Sequence, residues 1–148
     1  MEPIYFYSTK KNYYEFSNFY PAAITVDGKV WPTSEHYYAA QKFAGNDEYQ
    51  ENIRLARTPA LAKKLGSTKK LRLRADWESV KDGIMDKALN AKFTQHEKLK
   101  KLLLSTENRN LIEDSKKDSY WGIGNGAGQN KLGLALVKLR EQLKKLNI

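Results

Sequence analysis

The chain contains no cysteine, which excludes disulfide bonds and thiolate metal sites. It has only two histidines, His36 and His96, so we do not expect a zinc site. No stretch approaches the roughly 20 apolar residues that a membrane-spanning helix requires. Residues 1–4 show neither a basic leader nor an apolar run of signal-peptide length. We therefore expect a soluble, cytoplasmic protein without a membrane partner.

What the chain does contain is many apolar and basic side chains. Of its 148 residues, 41% are hydrophobic, and three Trp, nine Tyr and five Phe argue against disorder. This length suits one compact domain with a single core, spanning residues 1–148. The formal net charge of +9 favours anionic partners such as phosphorylated metabolites or nucleic acid. Charge alone does not choose between them, and much of the excess can serve solubility.

Short aromatic and β-branched runs alternate with longer helical patterns. Residues 4–7 and 110–113 have the composition of strands, and Asp27-Gly28 between two apolar runs predicts a β-hairpin. These elements predict an α+β fold, mainly helical, around one small, largely antiparallel sheet. Helix-start signals predict helices over residues 32–43, 46–57, 58–66 and 77–93, a fifth that begins at Thr94, and a last one after Asn130.

The stretch from residue 31 to residue 43 is the most distinctive part of the chain. Thr33 is a helix-capping residue, and Glu35 lies in the first turn, where the positive end of a helix favours a carboxylate. Lys42 follows two turns later and returns to nearly the same face. A carboxylate and an amine on either side of Tyr38 can form an active-site wall. A solvated charge pair on an otherwise inward-packed helix has the same pattern.

Two further polar segments have two interpretations each. Ser17 and Asn18 stand between two phenylalanines, and they can form a turn with their own backbone or reach the edge of a pocket. Between Lys63 and Arg74 there are six basic residues and no acid. This run can contact the phosphates of DNA, RNA or a nucleotide, or it can be a solvated loop.

A glycine-rich loop precedes the last predicted helix. Four glycines between Gly122 and Gly128 bring backbone N–H groups close to whatever lies beside the loop, and Asn130 is placed to cap the helix. A loop of this kind before a helix N-terminus can bind an anion, but a flexible connector has the same composition. Its spacing matches neither the GxxxxGK[ST] loop nor the dinucleotide-binding fingerprint.

Taken together, four segments resemble the signatures of the NADAR/YbiA-like family of N-glycosidases, and they occur in the same order. The resemblance extends over essentially the whole chain. The segments that carry it are Phe16-Ser17-Asn18-Phe19, Trp31 to Phe43, Asp76-Trp77-Glu78 with Met85 and Ala91-Lys92-Phe93, and Asp118 to Gly133.

This resemblance implies hydrolysis of the bond between a ribose C1′ and a nitrogen. For YbiA-like members the implied substrates are phosphorylated ribosylamino-pyrimidines, which are early riboflavin intermediates. Other members remove ADP-ribose from guanine in DNA or RNA, so ADP-ribosylated nucleic acid is the alternative partner. No cofactor is implied, and the sequence shows no clustered carboxylates for magnesium.

The motif match carries over Glu35, Trp77 and Asp118 as functional positions. Glu35 is the first candidate for acid–base work, since glycosidases use carboxyl groups in this way, and Asp118 is expected to orient the ribose hydroxyls or the attacking group. Lys42 matches the lysine of the family's helix signature and could form a Schiff base at C1′. Lys92, which also falls in a family motif, is the alternative lysine.

The remaining implied residues bind substrate: Trp77 or Trp121 would stack on the base, and the glycine-rich loop would hold the phosphate. The implied substrate-binding set is Ser17, Asn18, Trp77, Trp121, Gly122, Gly124 and Asn130. A competing interpretation, permitted by the charge of +9 and the basic run, is a non-catalytic module that binds nucleic acid or nucleotides. No zinc-finger, RNP or helix-turn-helix pattern supports it.

Overall fold

The computed structural model describes residues 1–146. Backbone contacts divide the chain into a central unit, Pro21–Gln95, and a terminal unit, which joins Met1–Tyr20 to the chain from His96 onward.

Helices dominate over short strands in the described range, so the predicted α+β class is confirmed. The elements in chain order are β1 (Ile4–Phe6), a 3₁₀ turn (Tyr14–Phe16), β2 (Ile24–Val26), β3 (Lys29–Trp31), α1 (Ser34–Gln41), α2 (Asp47–Arg54), α3 (Pro59–Gly66), α4 (Trp77–Gln95), α5 (Glu97–Ser105), β4 (Leu111–Glu113) and α6 (Lys131–Leu146).

In the central unit, β2 and β3 form the predicted antiparallel hairpin. Asp27 and Gly28 turn it with φ angles of 51° and 80°, the positive values that a two-residue hairpin turn requires. The chain then enters α1, which packs against α2, α3 and α4. The core around α1 buries Ile24, Trp31, Tyr37, Ala40, Phe43 and Ile53.

In the terminal unit, β1 pairs with β4 in parallel, with Ile4 opposite Leu111. The strands therefore form two two-stranded sheets rather than the one sheet that the sequence predicts, and the hairpin alone is antiparallel among the described strands. Parallel pairing needs a long connection between the two strands, and residues 7–110 supply it. α6 packs on both β4 and α5.

Several predicted helix boundaries are wrong, and α2, for example, ends at Arg54 rather than at residue 57. α1 ends at Gln41 because the Phe43 N–H bonds the carbonyl of Ala40, three residues back, and tightens the last turn. Thr94 lies inside α4, where its hydroxyl donates to the Asn90 carbonyl at 2.6 Å instead of capping a new helix. No helix in the described range is long and apolar enough to cross a membrane.

Candidate active site

The start of α1 is fixed by a buried Thr–His pair. Thr33 Oγ1 accepts a hydrogen bond from the His36 backbone N–H at 3.2 Å and lies 2.8 Å from His36 Nδ1. His36 Nε2 lies 2.9 Å from the carbonyl oxygen of Ala56. Because a carbonyl can only accept, we assign the ring proton to Nε2, and Nδ1 accepts from the Thr33 hydroxyl. Burial lowers the pKa of His36, and the hydrogen bond to Ala56 opposes this shift less strongly.

Glu35 lies in the first turn of the helix that this pair anchors. Its side chain is partly exposed, whereas the flanking Ser34 and His36 are buried. The backbone N–H groups of a first helical turn favour a carboxylate at this position. The structure thus holds the predicted acid on a rigid backbone and leaves its side chain accessible.

Lys42 lies at the opposite end of α1, against two aromatic rings. It is the C-cap residue, and its helical backbone angles (φ −58°, ψ −25°) keep its side chain on the face that Tyr38 occupies one turn earlier. Its Nζ lies 5.9 Å from the ring centroids of both Tyr38 and Trp77, within cation–π range. The same ammonium donates to the carbonyl of Gly66 at 3.4 Å. The three side chains form one cluster, in which the two ring centroids are 5.1 Å apart.

Trp77 reaches Lys42 because the chain before α4 is tied to the end of α1. The Arg74 N–H donates to the Lys42 carbonyl at 2.8 Å, and the Trp77 N–H donates to the Arg74 carbonyl at 3.2 Å. α4 begins at Trp77 as predicted, and the carboxylate of the preceding Asp76 bonds the Arg74 side chain at 2.6 Å. The indole is 6% exposed, so Trp77 is buried although it stands at the start of a helix.

Lys92, the alternative lysine, is fully buried in α4, with its Nζ 5.3 Å from the centroid of the Phe93 ring. Lys42, by contrast, is only partly buried. Burial disfavours an ammonium ion relative to a neutral amine, whereas a nucleophile must also reach its substrate. Accessibility therefore favours Lys42, and the choice between the two lysines stays a prediction.

In the terminal unit, Asp118 organises the glycine-rich loop. Its Oδ1 accepts the backbone N–H groups of Tyr120 and Trp121 at 3.0 and 2.8 Å. The Trp121 ring is partly exposed and packs edge-on against Tyr120, with centroids 5.0 Å apart. Oδ1 of the predicted catalytic carboxylate therefore stabilises the loop through hydrogen bonds, and Oδ2 is the oxygen that can bind a ligand.

The loop uses its own backbone donors. The N–H groups of Ile123 and Gly124 donate to the carbonyls of Glu113 and Ser115, at 3.0 and 2.9 Å. An anion cradle needs donors that point at the ligand, so the structure favours an ordered connector over the cradle interpretation. Contact of Gly122 and Gly124 with substrate stays a prediction. The donors that lead into α6 also bond the loop, each at 3.0 Å: Asn130 to Gly122, Lys131 to Tyr120, and Leu132 to Trp121.

Asn130 connects the loop to β4. Its Nδ2 donates to the Leu111 carbonyl and its Oδ1 accepts the Glu113 N–H, both at 2.9 Å. The amide thus pairs with β4 as a neighbouring strand would. Asn130 caps α6 through its carbonyl oxygen, which accepts the Leu134 N–H at 3.0 Å. Its predicted role in binding substrate is untested, and its amide serves the fold.

Ser17 and Asn18 are both buried. Ser17 Oγ accepts the backbone N–H of Phe19 at 3.1 Å, which favours the turn interpretation for Ser17. Contact of either residue with substrate stays a prediction.

His36 is the residue at this site that sequence reasoning missed. The signal was available, because a Thr at the cap position and a His three residues later share one helix end. No group of three His, Asp or Glu side chains capable of holding a metal ion occurs among residues 1–146.

Comparison with known proteins identifies similar chains over nearly the full length. The family model of the NADAR domain matches residues 5–144. N-glycosidase YbiA of Shigella boydii is 52% identical over 141 residues, which are 95% of this chain and 88% of that protein. Riboflavin biosynthesis protein VVA0006 of Vibrio vulnificus is 41% identical over 143 residues, which are 96% of this chain and 39% of that protein. The NMR structure of the E. coli protein YbiA superposes with a TM-score of 0.89 at 47% identity, covering 99% of this chain and 89% of that chain.

Proposed function

Since the chain belongs to the NADAR domain family, we propose that it is an N-glycosidase that cleaves the bond between ribose C1′ and nitrogen in phosphorylated ribosylamino-pyrimidines. The Shigella relative is named an N-glycosidase and the Vibrio relative a riboflavin biosynthesis protein. These two names support an early riboflavin intermediate as the substrate class. Removal of ADP-ribose from guanine in nucleic acid is the alternative activity.

The observation that carries the proposal is the placement of Lys42 against Tyr38 and Trp77. Cleavage of an N-glycoside develops positive charge at C1′. Ring faces that attract the Lys42 ammonium also attract a cationic iminium that forms at the same nitrogen. The cluster thus joins a potential nucleophile to groups that stabilise the charge of its adduct.

In the proposed reaction, Glu35 donates a proton to the ring oxygen O4′ as the C1′–O4′ bond breaks, which leaves C1′ joined to the base nitrogen as an iminium. The neutral amine of Lys42 then adds to C1′, and one proton of this amine passes to the leaving nitrogen. The C1′–N bond breaks as the imine to Lys42 forms, and water then hydrolyses this imine to release the phosphorylated ribose. The products are the amino-pyrimidine and the sugar phosphate. Glu35 accepts a proton from the water that attacks the imine and so returns to its acid form.

We propose substrate-binding roles for Asp118 and Trp121. Asp118 would orient the ribose hydroxyls through Oδ2, because Oδ1 already holds two backbone N–H groups. Of the two candidate stacking residues, Trp121 is the more exposed, so we assign base stacking to Trp121. Such stacking contributes about 1–3 kcal/mol per base.

Direct competition tests the proposal. The purified protein is given a phosphorylated ribosylamino-pyrimidine and an ADP-ribosylated guanine oligonucleotide, and kcat/KM is measured for each by following the released base and sugar. We expect the higher kcat/KM for the pyrimidine, with one sugar phosphate released per base. A higher value for the oligonucleotide would establish the alternative substrate. Salt-sensitive binding without turnover of either compound would instead establish a non-catalytic module.

A further inference from the structure

The central unit carries an apolar groove whose residues have no role in the proposed reaction. The groove has a volume of about 610 Å³ and lies between the first turn of α2, α3 and the segment that follows α3. Its floor is aliphatic and is formed by Leu61, Leu65 and Leu71. This volume lies within the range of about 300–1,000 Å³ that ligand pockets occupy.

The groove exists because α3 packs with its small residues inward. Ala62 and Gly66 are buried, and a Cβ at Gly66 would lie only 2.9 Å from the Ala39 Cβ in α1. Leu61 and Leu65, one turn apart, both line the groove, and Leu65 also packs, partly buried, against the core. Leu61 is 38% exposed and Leu71 37% exposed. Leucine side chains are usually buried in folded proteins, so Leu61 and Leu71 lack the covering that their apolar side chains favour.

The wall of the groove is held rigid from α2. The Tyr49 hydroxyl donates to the Leu65 carbonyl at 2.5 Å, and the Tyr49 ring packs edge-on against Phe43 with centroids 4.8 Å apart. The groove is therefore formed before a ligand binds, and this lowers the entropy cost of binding.

The rim of the groove is positively charged. Lys64 and Lys70 line it, and Lys69 and Arg72 lie in the same segment. None of these four side chains has a carboxylate within 4.0 Å among residues 1–146. The sequence from residue 58 to residue 75 contains no Asp or Glu at all. The complementary ligand is therefore apolar on one side and acidic on the other.

We propose that this groove docks an acidic amphipathic helix of a partner protein, with aliphatic side chains on the leucine floor and carboxylates on Lys64 and Lys70. Helix-in-groove recognition uses apolar anchors spaced three and four residues apart. Single-stranded nucleic acid fits less well, because bases bind by stacking on open aromatic faces. The one aromatic residue that lines the groove, Tyr49, has its ring against Phe43 and its hydroxyl on Leu65.

The test uses defined probes on the full chain. The first is a fluorescently labelled peptide helix with Leu at positions i, i+3, i+4 and i+7 and Glu at the exposed positions. The second is the same peptide with Lys in place of Glu, and the third is a labelled single-stranded oligonucleotide of mixed sequence. Fluorescence anisotropy gives Kd, and methyl NMR spectra locate the contact. We expect saturable binding of the Glu peptide with shifts at Leu61 and Leu71, and at least tenfold weaker binding of the Lys peptide.

Four variants locate the site. Leu61→Ala and Lys70→Glu should each weaken binding of the Glu peptide by at least fivefold. The matched controls Leu134→Ala and Lys116→Glu alter exposed positions outside the groove and should leave Kd within twofold. Unchanged melting temperatures show that the variants fold. Glycosidase turnover should be unchanged in L61A and K70E, so a loss of peptide binding in these variants can be told apart from a loss of catalysis.

Three results would overturn the docking proposal. The first is absence of Glu-peptide binding. The second is an equal loss of binding in the groove variants and the control variants. The third is binding of the oligonucleotide, sensitive to Lys70→Glu, that is tighter than binding of the Glu peptide; that result would assign the groove to nucleic acid.

Discussion

Among individual residues, Glu35 and Lys42 occupy the two ends of α1 and differ in how the structure holds them. Glu35 sits on a helix start anchored by Thr33 and His36. Lys42 is held by ring faces and by the Gly66 carbonyl. Each residue therefore has its own environment and its own test.

Replacement of Glu35 by Gln removes the proposed acid while preserving the size of the side chain. We expect kcat to fall by a factor on the order of 100 or more, the usual effect of general acid–base catalysis. The control is Glu48→Gln, which alters another first-turn acid, in α2, and should leave kcat near that of the wild type. Near wild-type turnover by folded E35Q would remove Glu35 from the mechanism.

Borohydride added during turnover should reduce the proposed imine and leave the sugar covalently attached to Lys42. Mass spectrometry of peptides from the trapped protein locates the adduct, and omission of substrate provides the control. The more accessible environment of Lys42 is the reason to expect the adduct there rather than on the fully buried Lys92. An adduct on Lys92, or no adduct during active turnover, would show that the assignment is wrong.

The free energy of unfolding should depend on the protonation of His36. Burial lowers the pKa of His36 below 6.5 in the folded protein, so the unfolded chain takes up the proton at higher pH. Stability is then fully present above about pH 6.5, falls as the pH drops towards the folded-state pKa, and levels off below it. Arg or Lys partners lower the pKa values of three carboxylates, those of Glu51, Asp76 and Glu141. These groups change the free energy of unfolding at lower pH than His36 does.

Urea unfolding between pH 5 and pH 7.5 measures this dependence. It should disappear in His36→Gln and persist in His96→Gln, which alters the other histidine. A slope that is unchanged in H36Q would assign the dependence to another group. H36Q should also be less stable at pH 7.5, by about 1–3 kcal/mol, because the Ala56 carbonyl loses its partner in the interior.

Among the secondary-structure elements, α6 and β4 approach so closely that the contact requires a glycine at position 133. A Cβ at Gly133 would lie 1.9 Å from the Leu111 carbonyl oxygen. Since Leu111 pairs with Ile4 in the parallel sheet, displacement of this carbonyl would disturb the sheet as well as the helix contact. At Gly83 in α4, no atom of residues 1–146 lies within 4 Å of such a Cβ, apart from the two neighbouring residues and the nearby backbone of the helix itself.

The two glycines therefore make a matched pair for alanine substitution. Gly133→Ala should lower the free energy of unfolding by about 1–3 kcal/mol or more, the cost of overpacking. Gly83→Ala should raise it by roughly 0.5–1 kcal/mol, because alanine is the better helix former. Denaturant titration measures both changes. Equal effects of the two substitutions would show that helix propensity, rather than the contact with β4, determines them.

Across the whole molecule, the net charge of +9 should accelerate capture of a phosphorylated substrate. Raising the ionic strength from 0.1 to 1 M shortens the Debye length from about 10 to about 3 Å. We expect kcat/KM for the phosphorylated substrate to fall roughly tenfold over this range, with kcat nearly constant.

The control for this experiment is the corresponding ribosylamino-pyrimidine without phosphate. Its kcat/KM should change little with salt, because an uncharged substrate gains nothing from the field of the protein. Equal salt effects on the two substrates would mean that salt acts on the protein itself and not on the attraction between charges.

The sequence by itself determined the local structure and, through family motifs, the identity of the proposed site residues. The Asp27-Gly28 turn, the Thr33 cap and the start of α4 at Trp77 all follow from preferences of neighbouring residues. Such preferences act over a few residues and so can be inferred from a short stretch. The resemblance to the NADAR/YbiA-like family was carried in the same way, by short segments, and the match over residues 5–144 confirms it.

Only the tertiary structure decided which distant segments meet. The parallel pairing of β1 with β4, the insertion of the Asn130 amide beside β4, and the contact of Lys42 with Trp77 each join residues far apart in sequence. Local preferences cannot specify these contacts, because packing of whole helices and strands selects among many alternatives of similar local energy. The burial of Lys92 and the exposure of Leu61 in α3 have the same origin: the helix face that is covered depends on its neighbours in space.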